Sequence, residues 1–568
     1  MLLQQSCKWI VLLLAIICLA CSVLLVSFAQ PERTYTIAFT VREMPSPFAT
    51  PAHGGPHWVV TTYLFDTLVW KDQSGVVPLL AESWESAAGG KDWTFNLRRG
   101  VHWHDGQMLS ADDVKFTFDY LREHPFPMFA SEAASQIEHV EVHSPGQVKF
   151  HLKQPAQDFL DDIAGIILIL PRHIWQSVID PLKFLSPSAF VGTGPFKYVE
   201  TRRGEYHLFQ ANEHYFLGRP QIDRLVLKAV SNPPLALESG DVDAASFNTP
   251  LAVARFRNRA DFRIVTGPYS YYLSKLIFNV SRPPFNSKVV RQAFAYSLDR
   301  QEIVNKVLGG AGIVSSAGLL HPDSDWFNPD LPKYERNKIL AEELLKQGGF
   351  THKGADGVRE APGSGHRLSF TLYARIDNSP EMARTAEMIR DQLAEVGVHL
   401  DLKPVNTGPL ESILASGNFD IALDGHGGTL RPEFVADSAD FPAHIYDNDE
   451  LKTCRDQFLH SSDGQKRREA AWKIQSIIAE DLPGLGIYNP NSPVVYRKSK
   501  GIEWFWTRQG LGGGAPIWWN KLALLKFNSA LAQPSSAAGR PTFMLPAIIL
   551  SCGAIVALFL GYRKLGKR

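Results

Sequence analysis

The chain has 568 residues, enough for roughly three or four domains at ~150 residues each. Its 58 basic and 58 acidic side chains cancel, which excludes a nucleic acid or other polyanion held by long-range attraction. Of the cysteines, Cys7, Cys18, Cys21 and Cys552 lie in the terminal apolar segments and Cys454 is alone in the body, so neither a disulfide framework nor a cysteine-rich metal site can form there.

After Lys8 the apolar run Trp9–Val26 ends at Ser27-Phe28-Ala29, which predicts a secretory signal peptide over 1–29 with cleavage after Ala29. Leu19-Ala20-Cys21 offers lipidation at Cys21 as the alternative, although Cys18 stands where such a motif wants Leu. Thr34–Val41 alternates Tyr35, Ile37 and Phe39 with smaller polar residues and predicts a strand. A loop rich in Pro, Gly and His covers Met44–His57, and the apolar stretch Trp58–Val69 predicts a helix. Trp93, Phe95 and Leu97 alternate with Thr94, Asn96 and Arg98 in a half-buried strand, and Asp105-Gly106 makes a tight turn. Ser110 caps a new helix, with Asp112 and Asp113 at its positive end and Val114, Phe118 and Leu121 as its apolar stripe. Leu225–Val230 reads as a buried strand. Glu381–Val396 is an amphipathic helix with Met382, Ala386, Ile389 and Leu393 on one face, flanked by strands Val398–Leu402 and Asp420–Leu423. This alternation argues for mixed α/β lobes.

At the far end, Phe543–Tyr562 is long and apolar enough to cross a bilayer. Arg563, Lys564, Lys567 and Arg568 follow it and place the C-terminus in the cytoplasm, with Ser529–Pro541 as the tether. Catalytic signatures are missing: there is no G-x-S-x-G, H-E-x-x-H or C-x-x-C. Gly192-Thr193-Gly194-Pro195 lacks the third glycine of a dinucleotide fingerprint, and Gly561–Lys567 meets Arg568 where a P-loop needs Ser or Thr. His102 and His104 have alternate spacing but no third ligand nearby, which favours a turn over a metal site.

Four ordered blocks, Pro78–Leu121, Val191–Val230 (VGTGPFKYVE and onward), Phe278–Val304 and Leu482–Tyr488, resemble the extracytoplasmic solute-binding proteins of family 5, the dipeptide/oligopeptide group of ABC importers. The resemblance covers Tyr35–Leu525. It implies an α/β, two-lobed type II periplasmic-binding-protein fold with an extra subdomain in lobe one. The implied division is lobe one at 30–278 with the insertion at 61–172, lobe two at 279–490, and a return to lobe one at 491–528. Linker 529–541, anchor 543–562 and tail 563–568 would follow. It also implies a monomeric, membrane-tethered receptor outside the cytoplasm, without catalytic residues, cofactor or metal, that captures oligopeptides and delivers them to a permease served by a separate ATPase. Other solutes stay open (an acidic conjugate, an oligosaccharide, a metal chelate), as does a secreted hydrolase.

In peptide-binding members an Asp-Pro loop after the strand at Phe419–Phe434 pairs with the peptide ammonium; here Arg431 precedes Pro432. A guanidinium there favours an anionic ligand group, or else pairs with a structural acid. Asp424, with His426 beside it, could supply the missing negative charge from the strand end. Glu43, Pro45 and Phe48 on the first loop, and Tyr269, Tyr271 and Tyr272 near the lobe crossing, are further cleft candidates. The aromatic clusters Trp504-Phe505-Trp506 and Trp518-Trp519 serve either as core or as a ligand platform, Trp506 being the ligand candidate.

Overall fold

The computed structural model describes residues 32–41, 44–48, 57–124, 135–247, 253–268, 271–363, 365–377, 381–427, 429–436, 445–507 and 517–525. The chain divides into two compact units, 1–532 and 533–568, and every described residue belongs to the first. The expected signal peptide, linker, membrane anchor and tail lie outside the described residues. Among the described residues no helix is long and apolar enough to cross a membrane.

One twelve-stranded sheet runs through the unit. From one edge its order is His399–Val405, Ser369–Arg375, Ile421–His426, Leu273–Phe278, Gly484–Arg497, Ala244–Ser246, Thr34–Ala38, Arg224–Lys228, Tyr206–Ala211 and Phe196–Arg202. Phe262–Pro268 and Gly312–Val314 pair with Gly484–Arg497 from outside that path. The 14-residue strand Gly484–Arg497 joins the two halves. Its first part pairs with Leu273–Phe278, and its last part pairs with Phe262–Pro268 and Ala244–Ser246. The chain therefore passes between the halves twice, once between Pro268 and Leu273 and once within Gly484–Arg497, and a double connection of this kind lets lobes hinge.

Each half has its own apolar core. Tyr35, Ile37, Phe95, Trp175, Phe209 and Trp504 belong to the first. In the second half, Leu276 and Phe278 face one cluster with Phe294, Leu372 and Ile389. The alternate residues Leu273 and Ile277 face another, with Leu410, Phe458 and Ile474. Leu273–Phe278 is buried along its whole length, as a strand covered on both faces is, although Ser274 and Lys275 interrupt its apolar residues. The subdomain in lobe one is the antiparallel sheet Ala81–Ala87, Asp92–Leu97, Gln147–Leu152 and Ile137–Ser144 with helix Ala111–Glu123 against it. Ser110 and Asp113 start that helix as expected: the Asp113 carboxylate accepts the Ser110 N–H at 2.9 Å.

One expected element is corrected. The helix expected over Trp58–Val69 is only His57–Thr61, and Val69–Asp72 is a strand. The stretch from Val60 to Trp70 is buried on all sides, so it has no amphipathic stripe to identify it. The carbonyls of Tyr63 and Leu64 accept instead from Phe196 and Gly194, at 3.0 and 2.8 Å. This explains the glycines of Gly192-Thr193-Gly194: a Cβ at Gly192 would stand 2.0 Å from the Leu64 carbonyl oxygen.

Candidate ligand-binding site

The parallel strands Ser369–Arg375 and Ile421–His426 end at the same sheet edge. Leu273–Phe278 begins there, with Leu273 opposite His426 and Lys275 opposite Asp424. Ligands of open α/β sheets bind beyond the carboxyl ends of such strands. Arg375, Asp424, His426, Tyr271 and Tyr272 all stand at this edge, beside the passage between the lobes.

Their geometry is specific. Arg375 Nε lies 3.1 Å from Asp424 Oδ1, and Nη2 donates to the Tyr272 hydroxyl at 2.8 Å and to the Gly425 carbonyl. The Gly425 N–H donates to the same Asp424 oxygen at 2.7 Å. A Cβ on Gly425 would sit 2.3 Å from the Leu273 carbonyl oxygen and 2.5 Å from the Tyr272 hydroxyl, so only glycine leaves room for that phenol. Burial pushes the Tyr272 hydroxyl up to about 12 against the pull of Arg375, so it stays a neutral phenol. Tyr271 is fully buried at φ +47°. Its carbonyl accepts the Thr429 N–H at 3.3 Å and hydroxyl at 2.7 Å, while its ring meets His321 edge-on at 4.9 Å. His426 Nδ1 lies 2.8 Å from the Gly427 carbonyl. The result is a corner where a carboxylate and a guanidinium, partly exposed, present both signs of charge beside phenolic oxygen.

The other candidates fall elsewhere. Arg431 is not free for an anion in this conformation: its Nη2 lies 2.6 Å from Asp162 and its Nε 2.7 Å from Glu433. Pairing with structural acids is thus the arrangement adopted. Phe48 packs on Trp175 and Tyr120 in the core, not on a cleft. Trp504 is core as well, donating from Nε1 to the Tyr35 hydroxyl at 2.8 Å. Trp506 is half-buried over Gly267, with Trp518 at 6.0 Å, near the passage at Pro268. Glu43 and Tyr269 lie outside the described residues. His104 is a structural residue: Gly192 N–H donates to its Nδ1 at 3.2 Å and its Nε2 lies 3.0 Å from the Gly194 carbonyl. Among the described residues no group of three or more His, Cys, Asp or Glu is placed to hold a metal ion. Arg375 was missed by sequence reasoning, although it ends an alternating run whose Phe370, Leu372 and Ala374 are buried.

Comparison with known proteins follows the same lines. Residues 75–444 match the family model "Bacterial extracellular solute-binding proteins, family 5 Middle". The oligopeptide-binding protein AppA of Bacillus subtilis is 29% identical over 457 residues, 76% of this chain and 82% of that protein. The nickel-binding periplasmic protein of Escherichia coli is 25% identical over 454 residues, 75% of this chain and 81% of that one. Among solved structures, NikZ from Campylobacter jejuni in complex with Ni(L-His) superposes with a TM-score of 0.72 at 27% identity, covering 87% of this chain and 100% of that one. The fold is thereby the two-lobed type II periplasmic-binding architecture.

Proposed function

Because the chain belongs to the bacterial extracellular solute-binding proteins of family 5, we propose that it is the receptor of an ABC importer for oligopeptides, tethered to the membrane and handing its solute to a permease. It is a binding protein and not an enzyme. The observation that carries the peptide reading is the likeness to an oligopeptide-binding protein over 76% of the chain. The site supports it: Asp424 and Arg375 offer an anion and a cation for the charged ends of a peptide, and the Tyr272 phenol offers a hydrogen bond of no fixed polarity. Ligand contacts made with both lobes favour the closed arrangement, and the permease would read that closure. Native mass spectrometry of the protein as purified, followed by calorimetric titration with peptides of two to nine residues, tests the reading. Co-purified peptide and saturable binding are expected; a different co-purified solute with no heat from any peptide would overturn it.

A metal chelate is the second reading. The similarity to the nickel-binding relative and to NikZ favours it, as does His426 at the same sheet edge. Titration with nickel–histidine complexes in the same series separates the two.

The tether rests on the apolar stretch Phe543–Tyr562 and the basic residues that follow. The Cys21→Ser full chain should stay with the membrane fraction. Deletion of 543–568 should release it. A soluble Cys21→Ser chain would overturn the anchor.

A further inference from the structure

Lobe one meets lobe two through charge. The π-turn Leu160–Ala164, seated in the first core by Phe159 and Ile163, carries Asp161 and Asp162, with Asp158 just before it. From lobe two, Arg431 and Glu433 sit at the start of helix Pro432–Ala436, whose Val435 belongs to the apolar cluster of Leu273 and Ile277. Arg467, on helix Gly464–Asp481, lies over the rings of Trp326 and Phe458. Arg431 Nη2 stands 2.6 Å from Asp162 Oδ2 and 3.4 Å from Asp158 Oδ2, and its Nε stands 2.7 Å from Glu433 Oε1. Arg467 also pairs with Asp158, and Lys71 with Asp161 at 2.7 Å.

Four carboxyls, Asp158, Asp161, Asp162 and Glu433, thus face three cations, Arg431, Arg467 and Lys71. Among the described residues, full ionisation would leave this cluster one surplus negative charge. Among the described residues Glu433 Oε2 is buried without a hydrogen-bond donor, a second sign that acceptors outnumber donors. One bound proton removes the surplus.

We propose that this cluster is a clasp between the lobes that closes with one proton on Asp162 and loosens when that proton leaves, independently of the solute. The environment of each acid agrees. Removal from water raises the Asp162 carboxyl to about 7; Arg431 opposes this, and the charges of Asp158, Glu433 and Asp161 add to it. Burial also works to raise Asp158, but Arg431 and Arg467 outweigh it and hold that carboxyl below the usual range. The Asp162 side chain is still 37% accessible, so its removal from water is partial and solvent can reach its proton. The sign follows from the raised closed-state value. Once the lobes part, Asp162 returns toward an ordinary carboxyl, about 3.9. Closure is therefore strongest below that range and is lost as pH rises toward 7, by up to about tenfold per pH unit.

The inference rests on the two-lobed binding reading but not on which solute is bound, and its test adds no solute, so the two can fail separately. Spin-label side chains at exposed Glu85 in lobe one and Lys346 in lobe two of the dialysed full chain report the separation by pulsed dipolar spectroscopy. The wild type should give a short, narrow distance at pH 5 and a longer, broader one at pH 8. Asp162→Asn, which mimics the protonated acid, should stay short at both; Arg431→Met should be long at both. Identical wild-type distances at the two pH values, or Asp162→Asn following pH as the wild type does, would overturn the clasp. Asp162→Asn is isosteric, so it decides the matter even if Arg431→Met folds poorly.

Discussion

Lys521 and Asp66 form an ion pair with both side chains at 0% exposure, 455 positions apart in sequence. Lys521 Nζ also donates to the Phe65 carbonyl at 3.2 Å and lies 4.6 Å from the centre of the Trp70 ring. Asp66 accepts from the hydroxyls of Thr193 at 2.9 Å and Tyr215 at 3.1 Å. The pair fastens the last described segment, 517–525, to lobe one. Burial depresses the Lys521 ammonium against the pull of Asp66. Removing the cation would strand a buried carboxylate, so Lys521→Met should cost ~3–5 kcal/mol in urea denaturation. Lys183→Met, at the exposed pair with Asp180, should leave the midpoint unchanged. Equal effects would mean that burial does not govern these pairs.

Gly194 is a second point of tight constraint. A Cβ there would lie 2.5 Å from the Tyr63 carbonyl oxygen, on backbone that cannot step aside. Gly194→Ala should destabilise by ~1–3 kcal/mol through overpacking. Gly146, with nothing within 4 Å of its would-be Cβ, is the control: Gly146→Ala should change stability by no more than ~0.5 kcal/mol.

These contrasts show why some of the molecule is legible in sequence. The Ser110 cap, the stripe of Met382, Ala386, Ile389 and Leu393, and the strand at Tyr35 and Ile37 repeat a local period, and each appears as read. Trp58–Val69 has no period because every side is covered, and the helix expected there ends after one turn. Arg431 was visible as a departure from a motif, but its partner Asp162 is 269 positions away, and no local pattern announces that meeting. Arg375 hid for the opposite reason: it looks like an ordinary charged residue at a strand end, and only the sheet order puts it beside Asp424.

Acid should expose the buried imidazoles. Burial pushes His104 down to about 4 against the hydrogen bond to Gly194, and it pushes His321 to about 4 against Asp323. Unfolded imidazoles titrate near ~6.5, so the unfolded chain takes up protons that the folded one refuses. Stability is therefore full above about pH 6.5 and falls as pH drops toward 4. His104→Gln should lower stability at neutral pH yet flatten its decline between pH 7 and pH 5, as read from urea midpoints. An unchanged slope would mean that His104 is not held neutral.

Asp424 carries the most direct prediction about the solute. One of its oxygens is held by Arg375 Nε and the Gly425 N–H, which fixes the carboxylate while leaving it partly exposed at 20%. A carboxylate oriented in this way can accept from a ligand ammonium, a charge-assisted hydrogen bond worth about 1.5–3 kcal/mol. Asp424→Asn keeps the shape and removes the charge. It should weaken binding of free-amine peptides by roughly ten- to a hundredfold while scarcely changing their N-acetylated forms. Arg375→Met should act differently, freeing Asp424 to swing and exposing its charge, so affinity falls for both forms. Calorimetric titration of the three proteins against matched free and acetylated peptides distinguishes these outcomes. If acetylation weakens binding to wild type and to Asp424→Asn by the same factor, the ammonium is recognised elsewhere. If both proteins prefer acetylated peptides, the corner selects an anionic or neutral end, and Arg375 becomes the ligand-facing charge.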